Sequence, residues 1–159
     1  MKKLLLLLLM LPSSAFACEG YVIGFKGIRN IFDEKSFQEY SKLRGYCGKS
    51  FSWPDTAAAI KFVQSSGKPY ELYGYSQGAS SVRRVLESRI LPNPRHVITI
   101  GAWHSANINF DRFNVSYINY YDKSGINPSR KKPKNIFLNV SHYVIQKRVN
   151  QIIFGSLAQ

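Results

Sequence analysis

One serine lies between two glycines in the stretch GYSQG, residues 74–78. The pattern Gly-x-Ser-x-Gly is typical of a nucleophilic serine when a strand precedes it and a helix follows, because both elements must pass close to the serine backbone. The surrounding residues predict a strand over 70–73 and a helix over 79–91. We therefore expect Ser76 to be a nucleophile, and the alternative is a glycine-rich turn without chemistry.

A serine hydroxyl is a poor nucleophile at neutral pH, so Ser76 needs a histidine as its base. The chain has three histidines. His142 follows the last predicted strand, at the edge of the sheet where Ser76 should lie, and it is the expected base. His104 also follows a strand at that edge and is the competing candidate. His96 opens a strand and should lie at the opposite edge.

A carboxylate must orient this histidine and stabilise the imidazolium that forms. Asp122 directly follows the predicted strand 115–120, so its side chain should emerge at the same edge as Ser76. Asp111 precedes that strand and should lie at the wrong end. The expected acid is therefore Asp122, and a turn-forming aspartate before Lys123 is the structural alternative.

Two backbone N–H groups are expected to stabilise the oxyanion that the attack of a serine creates. The first is the N–H of Gln77, at the start of the helix that follows the serine. The second should come from the loop GFKG, residues 24–27, where Phe25, Lys26 or Ile28 could donate. An ordinary glycine turn is the alternative for this loop.

Alternating strands and helices must position these residues. Runs of apolar and β-branched residues predict strands, and apolar residues at helical spacing predict helices. The predicted strands are 21–25, 45–51, 70–73, 96–100, 115–120 and 136–140, and the predicted helices are 33–43, 55–66, 79–91 and a last one that opens at 141–142. This order predicts a compact α/β domain with a mostly parallel sheet, helices on both faces and a ligand site at the carboxyl ends of the strands.

With these motifs the chain resembles the α/β-hydrolase superfamily. The stretch GYSQGA is similar to the nucleophile turn of cutinases and small serine esterases, and GFKG is similar to the oxyanion loop of secreted lipases. The resemblance implies a Ser76, Asp122 and His142 triad that cleaves an ester or thioester through an acyl-enzyme, without a cofactor. Ile23 stands where the oxyanion motif often begins with histidine, and the short chain leaves little room for a lid.

The first 17 residues are typical of an export signal, with two lysines, an apolar run over 4–11 and the small-residue pattern Ala15-Phe16-Ala17. Cleavage there would leave a domain over 18–159 in the periplasm or outside the cell. Cys18 and Cys47 are the only cysteines, and an exported chain with an even count favours a disulfide between them. A lipid anchor on Cys18 is the alternative.

An excess of basic residues also bears on function. Without Lys2 and Lys3 the 22 basic residues become 20 against 9 acidic ones, a net charge of +11, which favours anionic surroundings such as lipid headgroups or envelope polymers. We expect the basic loop 130–134 to attract an anionic membrane surface. The sequence has no metal-ligand spacing and no nucleic-acid motif, so neither partner is expected.

Four aromatic residues near the predicted edge could bind an acyl chain or simply pack: Tyr75, Trp103, Tyr121 and Tyr143. The main alternative to an esterase is a non-catalytic protein on the same scaffold that binds an envelope component with its basic surface.

Overall fold

The structure is a computed structural model that describes residues 17–28, 31–102, 110–122 and 135–157. Within these ranges the strands are β1 Tyr21–Phe25, β2 Cys47–Phe51, β3 Tyr70–Tyr75, β4 Val97–Ile100, β5 Tyr117–Tyr121 and β6 Asn135–Phe137. The helices are α1 Glu34–Leu43, α2 Thr56–Ser66, α3 Gly78–Ser88 and α4 Ile145–Leu157, with a short 3-10 helix at Phe110–Phe113. No helix of this described part is long and apolar enough to span a membrane.

The six strands form one parallel sheet in the order β2-β1-β3-β4-β5-β6. All carboxyl ends therefore lie at one edge. Residues that directly follow β1, β3 and β5 meet at this edge, although they are far apart in the sequence.

Alternate residues of each strand pack on opposite faces of the sheet, as the two-residue period of a strand requires. Ile23 and Leu72 pack with α2 and α3, whereas Val22 and Tyr73 pack with α1 and α4. Both faces are thus covered by helices, and the predicted α/β architecture with a parallel sheet is confirmed.

Two helix ends follow directly from the sequence. Asp33 caps the start of α1, where its carboxylate accepts a hydrogen bond from the Ser36 N–H at 3.0 Å and so satisfies a donor of the first turn. Gly67 ends α2 with φ = 60°, a left-handed conformation that glycine adopts without a Cβ penalty.

The last strand is shorter than the sequence predicts, and the last helix begins later. β6 ends at Phe137 rather than Val140, and α4 starts at Ile145 rather than near Ser141. The reason is that β5 ends at Tyr121, so the Leu138 N–H makes the final bond to that strand, to the Tyr121 carbonyl at 2.8 Å. Residues 138–144 become a loop at the carboxyl edge.

Cys18 and Cys47 form a disulfide, with their Cα atoms 5.5 Å apart. The bridge ties the start of the described chain to the first residue of β2. Closing a loop of 29 residues in the unfolded chain is worth roughly 3–4 kcal/mol in the chain-entropy account. The bridge that the sequence favoured is therefore part of the structure.

Candidate active site

Ser76 stands in the sharp turn between β3 and α3. Its φ is 52°, in the left-handed region that a residue with a side chain seldom adopts. Two backbone hydrogen bonds hold it there: the Ser76 N–H donates to the Ile100 carbonyl at 2.9 Å, and the Ser76 carbonyl accepts from the Ala79 N–H at 3.1 Å. Such a conformation costs on the order of 1 kcal/mol, so the surrounding structure must impose it.

Three glycines let the backbone approach this turn. A Cβ on Gly74 would lie 2.8 Å from the Ala79 Cα, and a Cβ on Gly78 would collide with the Phe25 carbonyl oxygen. A Cβ on Gly27 would lie 2.8 Å from the Ser76 Cβ. The glycines of the pattern thus bring α3 and β1 against the turn, and Gly27 brings the loop after β1 beside the serine itself.

His142 and Asp122 complete a hydrogen-bonded chain with Ser76. The His142 Nε2 lies 2.9 Å from the Ser76 Oγ, and the His142 Nδ1 lies 2.8 Å from the Asp122 Oδ2. An ionised carboxylate can only accept, so the pairing puts a proton on Nδ1 and leaves the Nε2 lone pair for the serine O–H. This is the tautomer that a general base for Ser76 requires.

The three groups differ in their access to solvent. The Asp122 side chain is fully buried, the His142 side chain is 13% exposed, and Ser76 is 6% exposed. Burial keeps the carboxylate away from water, which strengthens its interaction with an imidazolium. Ser76 and His142 each keep a small exposed fraction, at which a substrate carbonyl could approach.

Tyr75 contacts His142 through both its hydroxyl and its ring. Its hydroxyl donates to the His142 carbonyl oxygen at 2.9 Å, and the two rings are stacked with centroids 5.4 Å apart. Burial, with a smaller contribution from the negative charge of Asp122, raises the pKa of Tyr75 to about 12. The phenol therefore remains a hydrogen-bond donor throughout the neutral range.

His96 and Asp111, which the sequence places at the wrong end of the sheet, lie away from Ser76 in the structure. His96 precedes β4, with its Nδ1 3.1 Å from the Ser116 Oγ, and Asp111 lies in the 3-10 helix that precedes β5. Both are at the amino ends of the strands, opposite Ser76. His104 and Trp103 lie outside the described residues, as does the basic loop 130–134.

Two of the expected oxyanion donors, Phe25 and Lys26, have backbone N–H groups that face neighbouring strands. The Lys26 N–H donates to the Phe51 carbonyl at 2.9 Å and extends the pairing of β1 with β2. Phe25 is the last residue of β1 and is in register with Gly74, so its N–H faces β3 within the sheet. Gly27 is the residue of this loop whose Cα lies beside Ser76.

Two residues at the site were missed by the sequence prediction. Gly101 follows β4 with φ = 59°, and a Cβ there would lie 2.8 Å from the His142 Cε1. The sequence feature that could have identified Gly101 is its position directly after the predicted strand 96–100. Tyr75 was considered only for packing or an acyl chain, because no sequence pattern indicates a hydrogen bond to a residue 67 positions away.

Solved structures of three enzymes or enzyme-related proteins share this fold. One of two metagenome-derived lipolytic enzymes, LipS and LipT, aligns with a TM-score of 0.61 at 12% identity, over 87% of this chain and 91% of that one. A lipase-esterase related protein from Clostridium acetobutylicum aligns with a TM-score of 0.55 at 14% identity, over 87% and 94%. YbtT, a type II thioesterase of the yersiniabactin pathway, aligns with a TM-score of 0.51 at 10% identity, over 92% and 94%.

These likenesses show an α/β-hydrolase-like fold along most of the chain. The comparison with protein families and the comparison with curated protein sequences gave no match. At identities of 10–14% these likenesses show the fold alone, so the chemistry has to be argued from the residues at the site.

Proposed function

We propose that this protein is a serine hydrolase that cleaves carboxylic esters through an acyl-enzyme. The observation that carries the proposal is the chain of hydrogen bonds from Ser76 through His142 to Asp122, at 2.9 and 2.8 Å. A buried carboxylate, a correctly oriented imidazole and a hydroxyl in a strained turn together make the serine a nucleophile. The lipolytic and thioesterase activities of proteins with this fold support the same reaction class.

In the first half of the reaction, His142 takes the proton of Ser76 as Oγ attacks the ester carbonyl. Asp122 stabilises the imidazolium, which then gives its proton to the leaving alcohol as the carbon–oxygen bond breaks. In the second half, His142 removes a proton from water, the resulting hydroxide attacks the acyl-enzyme, and Ser76 leaves with the proton returned. The carboxylic acid is released and the resting protonation state is restored.

The oxyanion is stabilised, in this proposal, by the N–H of Gln77 together with the N–H of Gly27. Gln77 directly follows Ser76 before α3 begins, the position that supplies the first donor in a strand-turn-helix nucleophile site. Gly27 replaces Lys26 and Phe25, whose amides face neighbouring strands, because its Cα lies beside the serine. One such donor is worth about 3 kcal/mol in the transition state.

The protein is exported in this proposal, with residues 1–17 as a cleaved signal and 18–159 as the mature domain. The disulfide between Cys18 and Cys47 supports this, since such bridges persist in oxidising compartments. The bridge also occupies the Cys18 sulfur, which a lipid anchor on Cys18 would need.

Exposed apolar residues near the site, together with a basic stretch of the sequence, support an ester substrate presented at an anionic lipid surface. Ile28, Tyr143 and Val144 are exposed by 48%, 70% and 49%, and all three adjoin the loops that carry the site. The segment 123–134, which follows Asp122, has five basic residues and no acidic one. Such a combination favours headgroup attraction with apolar contact. Neutralising residues 130–134 should weaken binding to vesicles with anionic lipid and leave hydrolysis of a soluble ester unchanged.

A panel of p-nitrophenyl esters of increasing acyl length tests the activity. The mature protein should hydrolyse at least one of them, and Ser76→Ala and His142→Ala should each reduce kcat by about 10⁴-fold or more. If no ester is hydrolysed while the protein still binds anionic vesicles, the non-catalytic envelope-binding protein becomes the better description.

A further inference from the structure

Tyr75 joins the nucleophile to the loop of the base. It is the last residue of β3, it is fully buried, and it directly precedes Ser76. Because side chains alternate along a strand, the Tyr75 side chain lies on the face of the sheet that α1 and α4 cover. The loop with His142 leads into α4 on this same face. One residue therefore lies next to Ser76 in the chain and next to His142 in space.

We propose that Tyr75 is a positioning residue for His142, which holds both the backbone and the ring plane of the base relative to the nucleophile. The inference rests on the proposed hydrolase function. Its hydroxyl donates to the His142 carbonyl at 2.9 Å, and its ring stacks on the imidazole with an angle of 24° between the planes.

The loop of the histidine needs such an anchor. The pairing of β6 ends with the bond of Leu138, and α4 begins only at Ile145. Between them the backbone hydrogen bonds of the described residues are local, from Val140 to Leu138 and from Val144 to Ser141. The Tyr75 hydroxyl connects this loop to the central strand β3, so the base and the nucleophile share one rigid support.

The stacked ring also affects the charged form of the histidine. Within the described part of the chain, the polar and aromatic side chains that face the His142 imidazole are Ser76 and Tyr75 from the β3 turn, Asp122 from the end of β5, and the neighbouring Tyr143, whose ring centroid lies 6.5 Å away. The face of a phenol ring attracts a cation, so Tyr75 stabilises the imidazolium that forms during attack. Tyr75 thus supports Asp122 without contacting the substrate.

Tyr75→Phe is the decisive variant, because it removes the hydroxyl and keeps the ring. Tyr70→Phe is its matched control, since Tyr70 lies on the same strand and also donates its hydroxyl to a backbone carbonyl, that of Pro92, at the opposite edge. We expect Tyr75→Phe to lower kcat about tenfold with KM within twofold of the wild type, because small displacements of a base are costly. Tyr70→Phe should leave both constants within twofold.

Inactivation by a small fluorophosphonate provides a second readout of the same geometry. The wild type should be labelled quickly and Tyr75→Phe about tenfold more slowly, with Tyr70→Phe unchanged. Tyr75→Leu, which also removes the ring, should be labelled more slowly than Tyr75→Phe. A wild type that is never labelled would end the hydrolase proposal itself. Equal rates in wild type and Tyr75→Phe, or equal losses in Tyr75→Phe and Tyr70→Phe, would overturn the positioning role alone.

Discussion

Gly101 leaves open the space that the His142 imidazole occupies. A Cβ on Gly101 would lie 2.8 Å from the His142 Cε1, 2.9 Å from its Nδ1 and 3.3 Å from the Asp122 Oδ2. The φ of Gly101 is 59°, so a side chain there would also be strained. The residue that follows β4 must therefore lack a side chain. Only a glycine at this position leaves room for His142 and Asp122 to approach each other.

Gly101→Ala should therefore impair catalysis more than stability. The added methyl group displaces the imidazole from Asp122, and kcat/KM should fall about 100-fold. Gly67→Ala is the matched control, since Gly67 has a φ of 60° but nothing within 4 Å of its Cβ position. Both variants should lose about 1 kcal/mol of unfolding free energy from the left-handed backbone. Ester hydrolysis and urea unfolding measure the two effects, and equal activity in both variants would contradict the close packing at Gly101.

Asp122→Asn should reduce kcat about 10⁴-fold while the fold is retained. The amide has the shape of the carboxylate, but its nitrogen donates and so favours the His142 tautomer with the proton on the wrong nitrogen. Asp111→Asn, at the other edge of the sheet, is the control and should keep nearly full activity. Steady-state kinetics and circular dichroism of the two variants decide the point. Comparable kcat values in both would remove Asp122 from the triad.

Gly27→Ala should reduce kcat about 100-fold with a small effect on KM. Its methyl group would lie 2.8 Å from the Ser76 Cβ and 3.4 Å from the Oγ, so the loop and its proposed oxyanion donor must move away. Lys26→Ala keeps every backbone N–H and removes only a side chain that pairs with Glu34 at 3.1 Å. That control should change kcat less than threefold. A Gly27→Ala variant as active as Lys26→Ala would exclude this loop from the oxyanion hole.

The stability of the fold should decrease in acid, partly through Asp33. Burial raises the pKa of Asp33, but hydrogen bonds from the Ser36 N–H and hydroxyl outweigh burial, so the pKa lies below its ordinary value of 3.8. A carboxyl whose pKa is lowered by folding stabilises the protein above its unfolded pKa, and this stabilisation is lost as the pH falls. Asp33→Asn keeps a capping oxygen for α1 and should show a flatter decline of unfolding free energy between about pH 5 and 3. An identical pH dependence in both proteins would contradict this role of Asp33.

The exported protein should begin at Cys18 and contain one disulfide. Its intact mass should correspond to residues 18–159 less two hydrogen atoms, and reduction should restore them. Reduction should also lower the unfolding free energy by about 3 kcal/mol. A mass that includes acyl chains on Cys18 would instead support the lipid anchor.

The proximity of Ser76, Asp122 and His142 could be predicted because it depends on strand order alone. Each of the three follows, within three residues, the end of a run whose composition predicts a strand, and in the structure β3 and β5 end directly before Ser76 and Asp122. In a parallel sheet these ends share one edge, so a one-dimensional pattern is enough to bring the residues together.

The contacts that refine the site could not be predicted in this way. The end of β6 depends on where its partner β5 stops, and the use of the Lys26 N–H depends on its pairing with Phe51. The role of Tyr75 depends on a loop 67 residues away. Each of these requires the three-dimensional register of neighbouring elements, which hydrophobic periodicity does not contain.

The mass of the protein after incubation with a fluorophosphonate tests the central claim most directly. The wild-type chain should gain one phosphonyl group, peptide mapping should place it on Ser76, and Ser76→Ala should gain none. A wild-type mass that does not change, or an adduct that persists in Ser76→Ala, would contradict the assignment of Ser76 as the nucleophile.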